Sequence, residues 1–246
     1  MKPRYSNQKP KYSKETIGRS NNCSHCHTPA MATNKQVNIF DSHGMAPLHT
    51  ACRRGELGRV HDLITQGANI NLVDANGRTP LIHACRHNVH SKLVRYLLRH
   101  GAHTDTRDDN GQTALEVALR RNNLFIMKEL LEYGTDVENM QKYGDETLLH
   151  KACRKSTLAA VKLLLRHGAD VKAETMDGTT PLHLATERGD FEMVQYLVLH
   201  HGADGNYAND KGLTALHTAY QKEQYDIAEW LLENVLRPSR GGYASN

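Results

Sequence analysis

Cysteine and histidine lie close together near the N-terminus, in the stretch Cys23-Ser-His-Cys26-His27. The spacing C-x-x-C-H is that of c-type haem attachment, which needs an exported protein, and the residues before it lack the apolar run of a signal peptide. Thiolate and imidazole groups also bind zinc, so Cys23, Cys26 and His27 are a candidate half-site. Because no second pair of ligands follows in this segment, the alternative is two exposed thiols, and we expect no cofactor.

The other histidines and cysteines do not show the spacing of a catalytic site. The chain has 16 histidines, yet it contains no H-E-x-x-H, G-x-x-x-x-G-K-[ST] or G-x-S-x-G motif. Cys52, Cys85 and Cys153 instead follow an alanine at equivalent places, where a small apolar side chain would pack between helices. We therefore predict three core cysteines and a protein that is not an enzyme.

The composition excludes several classes of protein. The 246 residues are 39% hydrophobic and 24% charged, with a mean hydropathy of −0.63. No apolar run reaches the length of about 18 residues that a membrane-spanning helix needs. Five cysteines, an odd number, favour a reducing compartment over a disulfide scaffold. We expect a soluble protein of the cytoplasm or the nucleus that does not bind membranes.

Positive charge is concentrated at the N-terminal end. Residues 1–40 contain seven Lys and Arg and one Glu, a net charge of +6, while the rest of the chain carries −2. The same segment is polar and poor in aliphatic residues, which predicts a disordered basic tail. Such a tail suggests nucleic-acid binding or nuclear import, with a plain solvated tail as the alternative. Residues 237–246 are predicted to form a short flexible tail.

Six similar segments follow one another between residues 41 and 236. Their starts lie 33 or 34 residues apart, and they read, in order, APLHTAC, TPLIHAC, TALEVAL, TLLHKAC, TPLHLAT and TALHTAY from residues 46, 79, 113, 147, 180 and 214. In the first copy, Pro47 suits the first turn of one helix, and Leu57, Val60, Leu63 and Ile64 recur at the spacing of a second helix. A glycine follows this second helix, as suits a helix end. Asp-x-x-Gly segments predict the connecting turns. A helix pair this short cannot bury its apolar face alone, so the copies must stack.

With this period and motif, the chain resembles the ankyrin-repeat family. The resemblance implies an all-α solenoid of helix pairs joined by β-turn or hairpin loops, with six repeats over residues 41–236. It implies that the first helices line the concave face. It also implies a structural role for the motif histidines, which would hydrogen-bond the backbone of the turns: His49, His150, His183 and His217.

One position of the repeat is basic in every copy. It lies two residues after Cys52 and its equivalents, and its occupants are Arg54, His87, Arg121, Lys155, Arg188 and Lys222. Equivalent positions align in a stack, so we expect these residues, the charge stripe, to run along the first helices. A stripe of this sign would attract an acidic or phosphorylated partner. The alternative is a solvated face without a partner.

Large apolar residues lie at two of the predicted turn tips. Met140, Lys142 and Tyr143 belong to the third-to-fourth turn, and Met176 belongs to the next. Exposed apolar groups of this kind are candidate binding anchors, although Tyr143 could point inward because its turn is shifted by one residue. Asn71 resembles the asparagine that is hydroxylated in many ankyrin repeats. The alternative is a hydrogen-bonding loop residue.

Ankyrin repeats are binding modules, so the resemblance implies a protein-interaction scaffold or adaptor. We expect one acidic protein partner and a monomeric chain. Two alternatives stay open. A substrate-recognition subunit of a ubiquitin ligase would need a SOCS box, for which the ten residues after the last repeat are too few. Nucleic-acid binding would use the basic tail and the stripe, but no aromatic residues alternate with the cations to stack on bases.

Overall fold

Twelve α-helices make up the described part of the chain. The computed structural model describes residues 37–87, 89–138, 146–155 and 157–236, all within one compact unit of residues 33–246. The predicted all-α class is confirmed. The helices are α1 (Pro47–Arg54), α2 (Leu57–Thr65), α3 (Pro80–Arg86), α4 (Ser91–Arg99), α5 (Ala114–Arg120), α6 (Leu124–Glu132), α7 (Leu148–Lys155), α8 (Leu158–Arg166), α9 (Pro181–Arg188), α10 (Phe191–His201), α11 (Ala215–Gln221) and α12 (Tyr225–Leu231).

The helices form consecutive pairs that stack in order. The two members of each pair pack against each other, and the odd-numbered helices pack side by side from α1 to α11. The even-numbered helices form a second layer, in which α4 contacts α6 and α10 contacts α12. A π-helical turn, Leu232–Leu236, continues α12 at the end of the stack. This arrangement is the predicted solenoid, in which each pair buries its apolar face against its neighbours.

Threonine side chains start several of the first helices. The hydroxyl oxygen accepts a hydrogen bond from the backbone N–H three residues later at Thr79 (3.3 Å), Thr113 (3.3 Å) and Thr214 (3.4 Å). Each bond satisfies one of the N–H groups that a helix start leaves without a partner. Pro47 and Pro80 occupy the first helical positions of α1 and α3, where their missing N–H costs nothing.

The predicted Asp-x-x-Gly turns connect the pairs and also contact one another. The Gly44 and Gly77 N–H groups donate to the carbonyls of Asp41 and Asp74 at 2.9 and 3.1 Å. Both glycines have a φ of +69°, which a residue with a side chain rarely adopts. The Ala75 N–H then donates to the Gly44 carbonyl of the preceding turn at 3.2 Å. The turns therefore hold adjacent copies in register.

The core runs along the stack and contains the three predicted cysteines. Cys52, Cys85 and Cys153 are free, buried thiols that are inaccessible to solvent, so their core position is confirmed. Within the described residues, packing extends at least four residues before the predicted domain start, because Val37 is buried and the Asn38 side chain accepts a hydrogen bond from the Asn69 N–H at 2.8 Å. Residues 1–36 of the predicted tail 1–40, with Cys23, Cys26 and His27, and residues 237–246 lie outside the described residues.

Candidate functional site

The charge stripe lies at one end of the odd-numbered helices. Each member is the last residue of its helix or the residue directly after it, and each is exposed. Because the odd-numbered helices pack side by side, the six positions follow one another along the stack. In order from the first pair to the last, they are Arg54, His87, Arg121, Lys155, Arg188 and Lys222.

Nearby carboxylates compensate the stripe at its two ends. Arg54 Nη1 lies 3.7 Å from Glu56 Oε1, and Lys222 Nζ lies 2.9 Å from Glu187 Oε1. In contrast, neither Arg121 nor Lys155 forms an ion pair with a carboxylate of the described residues. The least compensated positive charge of these four residues is therefore in the middle, on the third and fourth helix pairs.

His87 differs from the other members of the stripe. Reduced contact with water lowers the pKa of its imidazole below the ordinary value, and the positive charges of Arg53, Arg86 and Arg121 lower that pKa further. His87 is therefore predominantly neutral at pH 7 and adds a hydrogen-bonding group, not a charge, to the stripe. The sequence pattern treated His87 as one of a row of cations.

Arginines one position before the stripe form part of the same positive surface. Partial burial lowers the pKa of Arg86, and the nearby Arg78, Arg120 and Arg121 guanidinium groups lower it further. Its Nη1 atom is buried and has no hydrogen-bond partner among the described residues. Sequence reasoning gave these positions little weight because arginine is common there in the family. Their contribution becomes visible only when side chains from adjacent copies are seen together.

A cleft of about 490 Å³ opens between α5 and α7. These two helices pack against each other less extensively than α5 packs against α3, or α7 against α9. The cleft was not predicted, since no residue in either helix by itself signals a wider spacing. Its charged lining residues are Glu116, Arg120, Glu146, Lys151, Arg154 and Lys155.

Glu116 connects the two sides of this cleft. It stands where most other copies carry the motif histidine, and it is 6% exposed. Its Oε2 accepts a hydrogen bond from the Thr113 N–H at 2.8 Å, and its Oε1 accepts one from Lys151 Nζ at 2.7 Å. Arg107 Nη1 lies 3.4 Å from Oε2. The sequence signal that could have found this group is the carboxylate at a histidine position.

Three motif histidines have the structural role that the resemblance implied. His49 Nε2 donates to the Leu72 carbonyl at 2.8 Å, and Nδ1 accepts from the backbone N–H of Ala46 at 3.0 Å. His150 and His183 make the corresponding bonds to carbonyls about one repeat later in the sequence, at 3.0 Å each. Burial lowers the pKa of all three imidazoles. They are buried structural groups and have no access to a ligand.

Of the predicted turn-tip anchors, the structure describes one. Met176 is 80% exposed and, together with Arg154 and Glu187, lines a shallow cleft of about 390 Å³. Met140, Lys142 and Tyr143 lie outside the described residues. Sequence reasoning did not single out Phe125 of α6, which is also 80% exposed. The next residue, Ile126, is buried, so the two neighbours lie on opposite sides of α6.

Asn71 joins its own copy to the next one. Its Nδ2 donates to the Gly101 carbonyl at 3.0 Å, and its Oδ1 accepts from the His103 N–H at 2.8 Å. Asn71 is therefore a hydrogen-bonding loop residue, and its modification stays a prediction.

The described part of the chain carries neither a metal-binding cluster nor a membrane-spanning helix. Within residues 37–87, 89–138, 146–155 and 157–236, no three His, Cys, Asp or Glu side chains group closely enough to hold a metal ion. No helix in these ranges is long and apolar enough to cross a membrane. The zinc half-site with Cys23, Cys26 and His27 falls before these ranges and stays a prediction.

Comparison with solved structures gives several ankyrin-repeat proteins. The ankyrin repeat domain of Bcl-3, a member of the IkappaB protein family, is 31% identical, over 78% of this chain and 86% of that one, with a TM-score of 0.71. A second match is a chain from the complex of the predatory endopeptidase Bd0816 of Bdellovibrio bacteriovorus with the immunity protein Bd3460. It is 24% identical over 78% of this chain and 98% of that one, with a TM-score of 0.67. The ankyrin repeat protein EF0377 is also 24% identical. The match covers 79% of this chain and 99% of that one, with a TM-score of 0.69.

The two structures at 24% identity show the fold alone. No curated protein matched the sequence. A family model described as ankyrin repeats (3 copies) matches residues 48–141, 123–209 and 149–240, which together span well over half of the sequence. On this match, and on the likeness to the Bcl-3 domain, the chain belongs to the ankyrin-repeat family.

Proposed function

We propose that this chain is a non-enzymatic scaffold or adaptor that binds an acidic segment of a protein partner along the charge stripe. An ankyrin-repeat domain is a protein-interaction domain. The observation that supports the choice of partner is the pair Arg121 and Lys155, which are exposed, lie on adjacent helix pairs and have no carboxylate partner among the described residues. Opposite charge on a partner would raise the association rate and fix its orientation.

The surroundings of this pair strengthen the electrostatic argument. Arg120 is exposed next to Arg121, and Arg86 of the preceding copy is partly buried close to both. The body of the protein is slightly negative overall, so a local excess of positive charge at the third and fourth pairs is a feature of this surface and not of the whole domain. An acidic segment bound there would follow the first helices, the face that ankyrin repeats make concave.

We also propose that the chain acts as a monomer in the cytoplasm or the nucleus. The support for a reducing compartment is that Cys52, Cys85 and Cys153 are buried as free thiols.

The test compares three forms of the full chain in affinity purification with mass spectrometry: the wild type, Arg121→Glu/Lys155→Glu, and Lys128→Glu/Arg166→Glu. The third form is a matched control, because Lys128 and Arg166 are exposed cations of the same two helix pairs but lie in the second-helix layer. We expect a protein with an acidic segment to be retained by the wild type and the control and lost from the stripe variant.

Two other results would contradict the proposal. Identical protein lists for the three forms would contradict the proposal, since reversing two charges in the stripe must oppose an acidic partner. Nuclease treatment of the lysate separates the nucleic-acid alternative. If it removes the captured proteins from all three forms, the chain binds nucleic acid and not an acidic protein segment.

A further inference from the structure

The charges around the cleft between α5 and α7 do not cancel. Both carboxylates in its lining already have cationic partners: Glu116 accepts from Lys151 at 2.7 Å, and Glu146 pairs with Arg154. Arg120 lines the same cleft and, like Lys155, forms no ion pair with a carboxylate of the described residues. Two positive charges therefore line the cleft without a carboxylate partner in the part of the chain that the structure describes, one on each side.

The volume of the cleft and the residues that line it indicate which kind of ligand fits it. A volume of about 490 Å³ falls in the range of small-ligand pockets. Among the described residues that line it, Leu119 is the single apolar side chain, and none is aromatic. The lining side chains are therefore almost all polar or charged, and an anion would bind them by ion pairs and hydrogen bonds. The lining suits a compact anion on a short side chain.

We propose that this cleft is a phosphate-binding pocket that receives a phosphoserine or phosphothreonine of the protein partner. This proposal rests on the proposed function, because the same partner segment would continue along the charge stripe. A phosphorylated side chain carries about −1.5 to −2 charges at pH 7, which matches the two uncompensated cations. A glutamate would neutralise only one of them. Arg120 supplies a guanidinium fork that can bind two phosphate oxygens at once, and Lys155 supplies a point charge opposite it.

The two helices that border the cleft contribute one of these cations each. Arg120 ends α5 and Lys155 ends α7, and both side chains are exposed. The ion pair between the buried Glu116 and Lys151 connects the same two helices. A bound phosphate would make a charge-assisted contact with each of the two cations, and it would connect the third and fourth helix pairs.

The test uses peptide pools with a fixed central residue and four random positions on each side, in four versions: phosphoserine, phosphothreonine, serine and glutamate. Fluorescence polarisation measures the affinity of each pool for the full chain. We expect the phosphorylated pools to bind about tenfold more tightly than the serine pool, as expected for charge-assisted hydrogen bonds, and clearly more tightly than the glutamate pool. We expect Arg120→Gln/Lys155→Gln to remove the preference for phosphate.

The matched control is Lys128→Gln/Arg166→Gln, which removes two exposed cations from the second-helix layer and should keep the preference. Both variants change exposed residues, so an unchanged thermal unfolding midpoint is expected and verifies folding. If the phosphorylated and glutamate pools bind equally, the phosphate pocket is excluded while the acidic-partner function stands. If the preference survives in Arg120→Gln/Lys155→Gln, the cleft is not its source. If no pool binds and no acidic protein is captured, both proposals fail.

Discussion

Glu116 of α5 and Lys151 of α7 form an ion pair across the joint between the third and fourth helix pairs, with 2.7 Å between Oε1 and Nζ. The Glu116 side chain is 5% exposed, and the Lys151 side chain is 27% exposed. In four of the other copies, a histidine stands at the position of Glu116. This copy therefore replaces a hydrogen bond to a turn by an ionic contact to the neighbouring helix.

The ion pair predicts that the protein becomes less stable when Lys151 is replaced by an uncharged residue. We expect Lys151→Met to lower the free energy of unfolding by about 1–3 kcal/mol, because Glu116 stays buried with one partner fewer. Glu116→His restores the residue that other copies carry, so the double variant should recover part of the loss. Urea unfolding measures the three values.

Lys128→Met is the control for this experiment. Lys128 forms an exposed pair with Glu132 at 3.5 Å, and its removal should change the free energy of unfolding by less than about 0.5 kcal/mol. If Lys128→Met and Lys151→Met lower the free energy of unfolding equally, the ion pair between α5 and α7 stabilises the protein no more than an exposed pair does.

The buried motif histidines predict a loss of stability in acid. Burial lowers the pKa of His49, His150 and His183 below the ordinary value of 6.5. In the unfolded chain they titrate near that ordinary value, so below it the unfolded state binds more protons than the folded state. The free energy of unfolding should therefore decrease from about pH 7.5 to pH 5.5, by at most about 1.4 kcal/mol per pH unit for each histidine.

Urea unfolding at a series of pH values measures this slope. His150→Gln should make it shallower, since one buried titrating group is gone. A free energy of unfolding that rises on acidification would show that the histidines gain protons more easily in the folded state, contrary to their burial.

Gly58 offers a stabilising substitution. It is an exposed residue of α2, and no atom lies within 4 Å of the position that a Cβ would take. We expect Gly58→Ala to raise the free energy of unfolding by up to about 1 kcal/mol, because alanine loses less backbone entropy in a helix. Thermal and urea unfolding check the direction.

Gly44→Ala is the opposite case and serves as the comparison. Gly44 has a φ of +69°, and an added Cβ would lie 2.5 Å from the Ala75 Cβ of the next turn. This substitution should destabilise the protein. If both alanine variants shift stability in the same direction, backbone conformation does not govern these two sites.

The core cysteines predict protected thiols. Burial raises the pKa of the Cys85 thiol to about 12 and raises the pKa of Cys52 and Cys153 as well. A Cys23→Ser/Cys26→Ser variant retains only these three thiols, so we expect almost no reaction with Ellman's reagent in the native state and three equivalents in denaturant. Fast native labelling of the variant would show that the stack opens readily at these positions.

Much of this fold could be predicted from local patterns. The start of α1 at Pro47, its end at Arg54 and the turn from Asp41 to Gly44 agree with the sequence signals. These signals work because a cap, a proline or a left-handed glycine acts on backbone groups within a few residues. The repeat period then supplied the stacking, since every copy has the same exposed apolar face to cover.

The site was predicted only in outline. The period aligned the stripe from Arg54 to Lys222, but it could not show that Glu187 compensates Lys222. It also could not show that reduced contact with water, together with nearby arginines, lowers the pKa of His87. Those effects depend on distances between side chains from different copies, and a few ångströms decide whether two charges pair.

The sequence by itself determined the helix pairs, their caps and turns, the buried cysteines and the row of basic positions, because each of these depends on residue type and spacing along one or two turns of chain. Only the tertiary structure decided which charges stay uncompensated and where the stack opens. The cleft beside Arg120 and Lys155 and the contact between Glu116 and Lys151, 35 residues apart, exist because α5 and α7 pack at one particular spacing. That spacing is the joint result of many side-chain contacts and is not encoded by any single motif.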